Sequence, residues 1–243
     1  MIIYIHIPKT GGTSIDSAFR SLPIKSLDRF GNFKTESDWL KFIDKDYLAY
    51  DYGSTHTNGV ESNPKDLLSN NTYIQKDISW ITMLRNPVDR VISEYYFIKE
   101  GLANRTDIKI FKKLSQRSYK FPDTLEEYIN SPVSFNGHTK YLIGKGTWSE
   151  YVITDKDIDT LIAKMEYLKF TVGITDHMDD TVKLISKKHN LDLKVEVKNQ
   201  NGYEGYKDIE ITKDLKDKIK ENNQSDYRLY IHYLKKLWIE TAK

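Results

Sequence analysis

The chain opens on an apolar, largely β-branched run, Ile2 to Ile7. Two glycines follow, and then apolar residues at helical spacing: Ile15, Ala18, Phe19 and Leu22. A strand this continuously apolar is buried on both faces, which happens mainly in parallel sheets covered by helices on either side. The first unit is therefore strand, loop, helix, with the loop at the carboxyl end of a buried strand, where such sheets bind their ligands. Further strands are expected at "YLAYDYG" (47–53), "SWITML" (79–84) and "FTVGIT" (170–175). Helical patterns run over 87–99, 107–118, 124–130, 136–143, 155–167, 178–189, 213–222 and 226–239. Strands alternating with helices predict an α/β fold with a central, mainly parallel sheet flanked by helices. No repeat and no Gly/Ser- or Pro-rich linker divides the sequence, so its 243 residues read as one domain, 1–243.

Composition narrows the class of ligand. Hydrophobic residues at 39% and charged residues at 30% fit a folded globular chain, and a net charge of +2 with interleaved signs offers no footprint for a nucleic-acid duplex. An anion must then be bound locally. The absence of cysteine excludes disulfides and thiolate chemistry. No apolar run approaches the ~20 residues of a membrane span, and Ile2 to Ile7 has neither a basic region before it nor a cleavage signature after it. The expectation is a cytoplasmic protein.

"PKTGGTS" (Pro8 to Ser14) has the makings of an anion loop. Gly11 and Gly12 permit turns and close approaches that a β-carbon forbids, and Thr13 and Ser14 bring hydroxyls to the first helical turn. Free backbone N–H groups and the positive end of the helix dipole complete the site, with Lys9 at its mouth. Glycines alone would fit a simple tight turn equally well. The combination with a lysine and two hydroxyls, between a strand and a helix, favours anion binding. The lysine precedes the glycines, whereas a nucleoside-triphosphate loop carries G-x-x-x-x-G-K-[ST]. No acidic motif for magnesium stands out, and no metal is expected.

"ITMLRNPVDRVISEYY" (Ile81 to Tyr96) is the second dense stretch. A strand ends at Leu84, Asn86 can cap a helix, Pro87 suits its first position and Asp89 its positive end. Arg85 thus stands at a strand's carboxyl end, where its planar fork can hold a phosphate through two hydrogen bonds. Ser93, about two turns along the helix, can offer a hydroxyl to the same anion. The competing structural reading is an Arg85 paired with a buried carboxylate.

The two segments together resemble the sulfotransferases that use 3′-phosphoadenosine 5′-phosphosulfate (PAPS), nearest to the carbohydrate branch typified by heparan sulfate 2-O- and 6-O-sulfotransferases. "FNGHTKYLIG" (135–144), "FTVGITDHMDDTVKLI" (170–185) and "NNQSDYRLYIHYLKKL" (222–237) extend the likeness over nearly the whole chain. The resemblance implies a three-layer P-loop-like fold. It also implies that Lys9, Thr10, Gly11, Gly12, Thr13 and Ser14 hold the 5′-phosphosulfate, and Arg85 and Ser93 the 3′-phosphate. PAPS is then the sulfate donor, and the acceptor is a hydroxyl of a saccharide. The membrane anchor and cysteines of the family's Golgi members are missing here, which points to a bacterial or viral relative. The rival readings are a nucleotide-dependent phosphoryl transferase and an inactive nucleotide-binding relative.

Sulfuryl transfer in line requires a cation at the leaving phosphate, a role suited to Lys9, and a base for the acceptor hydroxyl. His56, in the polar loop "GSTHTNG", is the chosen base, with Asp51 and Glu61 as rivals. His6 reads as structural and His138 as a surface residue. Lys145 and Trp148 could border nucleotide or sugar, although an exposed lysine and a buried tryptophan explain them as well. Tyr227, Tyr230, Ile231, Leu234 and Trp238 read as the core face of a helix. The acceptor loops are expected over 32–37, 55–63 and 101–121. The basic residues of the last, Lys109, Lys112, Lys113, Arg117 and Lys120, fit either an acidic polysaccharide or an ordinary exposed helix face.

Overall fold

A computed structural model describes residues 1–27, 49–55, 78–104, 121–196 and 211–242. His56, Glu61, the helix expected over 107–118 and the five basic residues Lys109, Lys112, Lys113, Arg117 and Lys120 lie outside the described residues.

Five parallel strands form one sheet in the order β2-β3-β1-β4-β5, with β1 Ile2–Ile5, β2 Ser26–Leu27, β3 Tyr52–Thr55, β4 Ser79–Leu84 and β5 Thr171–Ile174. The opening run does occupy the centre: β1 pairs with β3 (Ile5 opposite Thr55) and with β4 (Ile5 opposite Thr82). Side chains alternate across it as the pleat requires. Ile3, Ile5, Trp80, Leu84, Val172 and Ile174 fill one core, while Tyr4, Ile81 and Met83 fill the other.

Helices cover both faces. On the first lie α5 (Asp155–Tyr167) and α8 (Gln224–Thr241), through Ile158, Leu161, Met165, Leu229, Tyr233 and Leu237. On the second lies α1 (Gly12–Ser21), through Ile15, Ala18 and Phe19, with Ile185 of α6 (Met178–His189) beside it. Beyond β4, α2 (Pro87–Asn104) builds a third core with α3 (Leu125–Ile129) and α7 (Lys213–Asn222). The short helix α4 (Gly137–Leu142) supplies Tyr141 and Leu142 to the first core. None of the helices is long and apolar enough to cross a membrane, among the described residues.

Three sequence expectations shift. The third strand sits later than the apolar count over 47–53 suggested, at Tyr52–Thr55, and β2 was not anticipated. Asp51 therefore lies at the amino end of the sheet, where its carbonyl accepts from Ile2 N (2.7 Å) and its carboxylate from Lys25 N (2.9 Å). That is the edge opposite the glycine loop, so Asp51 is removed as a rival base. In α8 only part of the aromatic stripe is core: Tyr230 and Leu234 are buried, whereas Ile231 and Trp238 are exposed.

Candidate functional site

All parallel strands deliver their carboxyl ends to one edge, so the loops after β1, β4 and β5 meet there. The first is shaped by its own hydrogen bonds. Thr10 Oγ1 donates to the Ile7 carbonyl (2.8 Å), and both Lys9 (φ 67°) and Gly11 (φ 71°) take the left-handed backbone. For Gly11 that conformation is easy; for Lys9 it costs about 1 kcal/mol or more, which the surrounding contacts must hold in place. Gly11 caps α1 with no side chain on the helix's first N–H groups, leaving backbone donors at the positive end of the dipole. Gly12 meets a packing demand: a β-carbon there would lie 2.2 Å from the Tyr4 hydroxyl and from His6 Cδ2. His6 is thus structural, buried and stacked on Tyr4 with centroids 5.4 Å apart. Ser14 is buried in the first turn. The Thr10 hydroxyl proton serves the turn itself.

Beneath α1, Asp16 accepts from Tyr52 Oη (2.8 Å) and Arg20 Nε (3.1 Å), and Arg20 also reaches Ser54 Oγ (3.3 Å). Against its partial burial, hydrogen bonds from Ser54, Tyr52 and Arg20 hold the Asp16 carboxyl below its ordinary value. This cluster ties α1 to the strand that leads toward position 56.

Arg85 follows the end of β4 directly. Its Nη1 donates to the Lys9 carbonyl (3.4 Å), so the two motifs touch. Among the described residues no carboxylate forms an ion pair with Arg85, and its buried Nε has no hydrogen-bond partner. The competing reading of Arg85 as one half of a buried ion pair gains no support from these contacts. The buried Ser93 Oγ on α2 likewise has no partner. Other buried atoms also lack partners, Arg90 Nε and Tyr233 Oη among them, so what sets Arg85 and Ser93 apart is their place at and beyond the carboxyl end of β4.

Lys9 places its ammonium over the ring of Phe97, 4.1 Å from the centroid. Burial, and then the positive charge of Arg85, lower its pKa to about 8, while Glu94 and Glu100 pull the other way. A lysine so placed gains when an anion arrives, since the anion relieves both the desolvation and the repulsion.

The sequence reading missed the residues that hold this edge together. Thr175 Oγ1 lies 2.6 Å from the Thr10 carbonyl and 3.0 Å from that of Leu84, linking three strand ends through one hydroxyl. Asp176 accepts from Asn86 N (2.9 Å) and Tyr230 Oη (3.2 Å), while Asn86 Oδ1 accepts from Val88 N (3.0 Å) and Tyr227 Oη (3.2 Å). Thr175 and Asp176 follow β5, and their place at a strand's carboxyl end was the available signal.

Behind the site is a buried ionic group. Arg90 and Glu94 pair through two bonds of 3.1 Å, and Glu94 also accepts from Tyr128 Oη (2.8 Å) and Trp148 Nε1 (3.0 Å). Trp148 is thereby anchored to α2. His138 is fully buried, not a surface residue, with Nδ1 3.3 Å from Asp226 Oδ2. Asp226 accepts from His138 N (2.9 Å), Thr139 N (2.8 Å) and Thr139 Oγ1 (2.8 Å), which caps α4. Against its burial, His138, Arg90 and the Thr139 bond hold the Asp226 pKa at about 2.

A sulfotransferase from Alicyclobacillus acidocaldarius shares this fold, with a TM-score of 0.50 at 13% identity over 94% of this chain and 93% of that one. A mouse sulfotransferase, SULT7A1, solved with PAP, aligns at a TM-score of 0.46 and 15% identity, over 90% of this chain and 62% of that one. No curated protein matches the sequence significantly. The model of the Sulfotransferase family matches residues 1–240, and the chain belongs to that family.

Proposed function

We propose that this chain, acting as one domain, transfers a sulfuryl group from PAPS to an acceptor hydroxyl, by in-line displacement. PAPS supplies the activated sulfuryl group. The observation that carries the reading is the meeting of two cationic motifs on one sheet edge, with Arg85 Nη1 at 3.4 Å from the Lys9 carbonyl, while Arg85 Nε and Ser93 Oγ have no partner among the described residues. One anion site would leave half of these donors unused; a ligand with two phosphates uses both.

In this reading the N–H groups of Gly11, Gly12 and Thr13, with the Ser14 hydroxyl and Lys9, grip the 5′-phosphosulfate, while Thr10 shapes the loop and Ser14 N closes it on the Gly11 carbonyl (3.2 Å). Arg85 and Ser93 grip the 3′-phosphate. Lys9 neutralises the charge that grows on the leaving phosphate, a contribution of the electrostatic kind that dominates many enzymes. His56, the first residue after β3, is the proposed base, with Glu61 as its remaining rival. A saccharide acceptor follows from the likeness of "PKTGGTS" and "LRNPVDRVISEYY" to carbohydrate sulfotransferases.

Thermal unfolding with adenosine 3′,5′-bisphosphate tests the donor. At a hundredfold excess over Kd, ligation raises the midpoint by roughly 5–10 °C for a chain of this size. ATP with magnesium should give much less. Stabilisation by ATP with magnesium alone would overturn the reading in favour of phosphoryl transfer.

A further inference from the structure

We propose that Phe97 is the positioning residue for Lys9, its ring forming an uncharged seat that keeps the ammonium charged and aimed at the anion loop. This rests on the donor reading above. Ser93 and Phe97 are four residues apart on α2, so one helix face brings the hydroxyl and the ring to the same side. The ring centroid is 4.1 Å from Lys9 Nζ, well inside the range in which an aromatic face attracts a cation.

The surroundings explain why a ring serves better than an acid. Lys9 and Arg85 are like charges forced together, and each lowers the other's comfort in the absence of an anion. A carboxylate under Lys9 would cancel that repulsion, but an incoming phosphate would then have to break an ion pair. The ring attracts the ammonium through its quadrupole and carries no net charge to repel the phosphate. The charged groups acting on Lys9 from the elements around it are Arg85 after β4 and Glu94 and Glu100 of α2. Glu94 is already committed to Arg90, Tyr128 and Trp148, so it adds a background field and no direct contact.

The test follows the Lys9 ammonium directly, by NMR of protein labelled at lysine Cε, with Lys9→Arg to identify the signal. In the ligand-free wild type the Lys9 titration is expected at about 8, lowered by burial and by the charge of Arg85. Phe97→Leu keeps the site dry but removes the quadrupole, so the ammonium is less favoured and the titration moves down by about half a pH unit. The alkaline limb of sulfuryl transfer moves with it and turnover falls several-fold. Bisphosphate affinity at pH 6.5, where Lys9 is charged in both proteins, stays within about twofold. Phe97→Tyr, which retains the ring, restores wild-type behaviour in every readout, and Phe97→Met substitutes for the leucine variant if that one folds poorly.

An unmoved Lys9 titration in the leucine or methionine variant overturns the proposal, as does a tyrosine variant that behaves like leucine. The titration needs no nucleotide. If the wild type binds and transfers while Phe97→Leu matches it, only the role of Phe97 fails; if the wild type binds no bisphosphate, the donor reading fails and this role with it.

Discussion

Ser93 and Glu94 are neighbours on one helix, both are buried, and their surroundings treat them in opposite ways. Glu94 receives four hydrogen bonds from Arg90, Tyr128 and Trp148. Among the described residues the Ser93 hydroxyl receives and gives none. One face of α2 thus carries a polar network that satisfies Glu94 and leaves only the Nε of Arg90 without a partner among the described residues, while the other carries the unpartnered Ser93 hydroxyl, which is proposed to meet the ligand. Satisfied buried polar groups explain rigidity, and in the proposed function a ligand completes the donors of Arg85 and Ser93.

The closed face should respond in stability. Glu94→Ala leaves the Arg90 guanidinium buried and unpaired, and removing one partner of such a pair costs about 3–5 kcal/mol. Urea unfolding measures this, and a wild-type midpoint would mean that the network contributes nothing. Lys9→Ala works on the open side. Sulfuryl transfer should fall by roughly 10²–10³, while the unfolding free energy from urea stays within about 0.5 kcal/mol of wild type. A loss of both together would erase the contrast between the two faces.

The acid limb of stability gives a finer test of the closed network. Asp226 has an ordinary value of 3.8 and is held at about 2 in the fold. A carboxyl depressed in this way stabilises the protein above pH 4 and loses that stabilisation as pH falls from 3.8 toward 2, a change of about 2 kcal/mol. Asp226→Asn should flatten that limb, as followed by urea unfolding at a series of pH values. Smallest of all is Ser93→Ala, which removes an unpartnered hydroxyl. Stability should be unchanged or rise by up to about 1 kcal/mol, while bisphosphate affinity falls about tenfold. Calorimetry and urea unfolding on the same protein decide it.

How far the sequence carried these conclusions differs by element. The helices over 155–167 and 178–189 match their expected limits, because local signals end them: Thr154 and Asp157 form a capping box, and Asn190 takes the left-handed backbone after His189. The turn between β1 and α1 was equally legible, since Gly11 and Gly12 act through neighbouring backbone and close packing. The third strand was not. The expected strand ended at Gly53, and what carries it on through Ser54 is pairing with β1 together with the bonds from Tyr52 to Asp16 and from Arg20 to Ser54, contacts between distant positions. His138 looked exposed for the same reason, because its cover comes from Asp226 on a helix at the other end of the chain. Arg90 and Glu94 stand four apart within the second motif, a spacing that marks a helical pair, and only their complete burial was hidden.

The central claim is that the loop after β1 and the start of α2 form one grip for two phosphates. A crystal structure with adenosine 3′,5′-bisphosphate tests it most directly. The 5′-phosphate is expected on the N–H groups of Gly11 to Thr13 beside Lys9, and the 3′-phosphate within hydrogen-bonding distance of Arg85 and the Ser93 hydroxyl. A nucleotide seated with Ser93 Oγ and Arg85 Nε still unpartnered, or bound at another edge of the sheet, would contradict it.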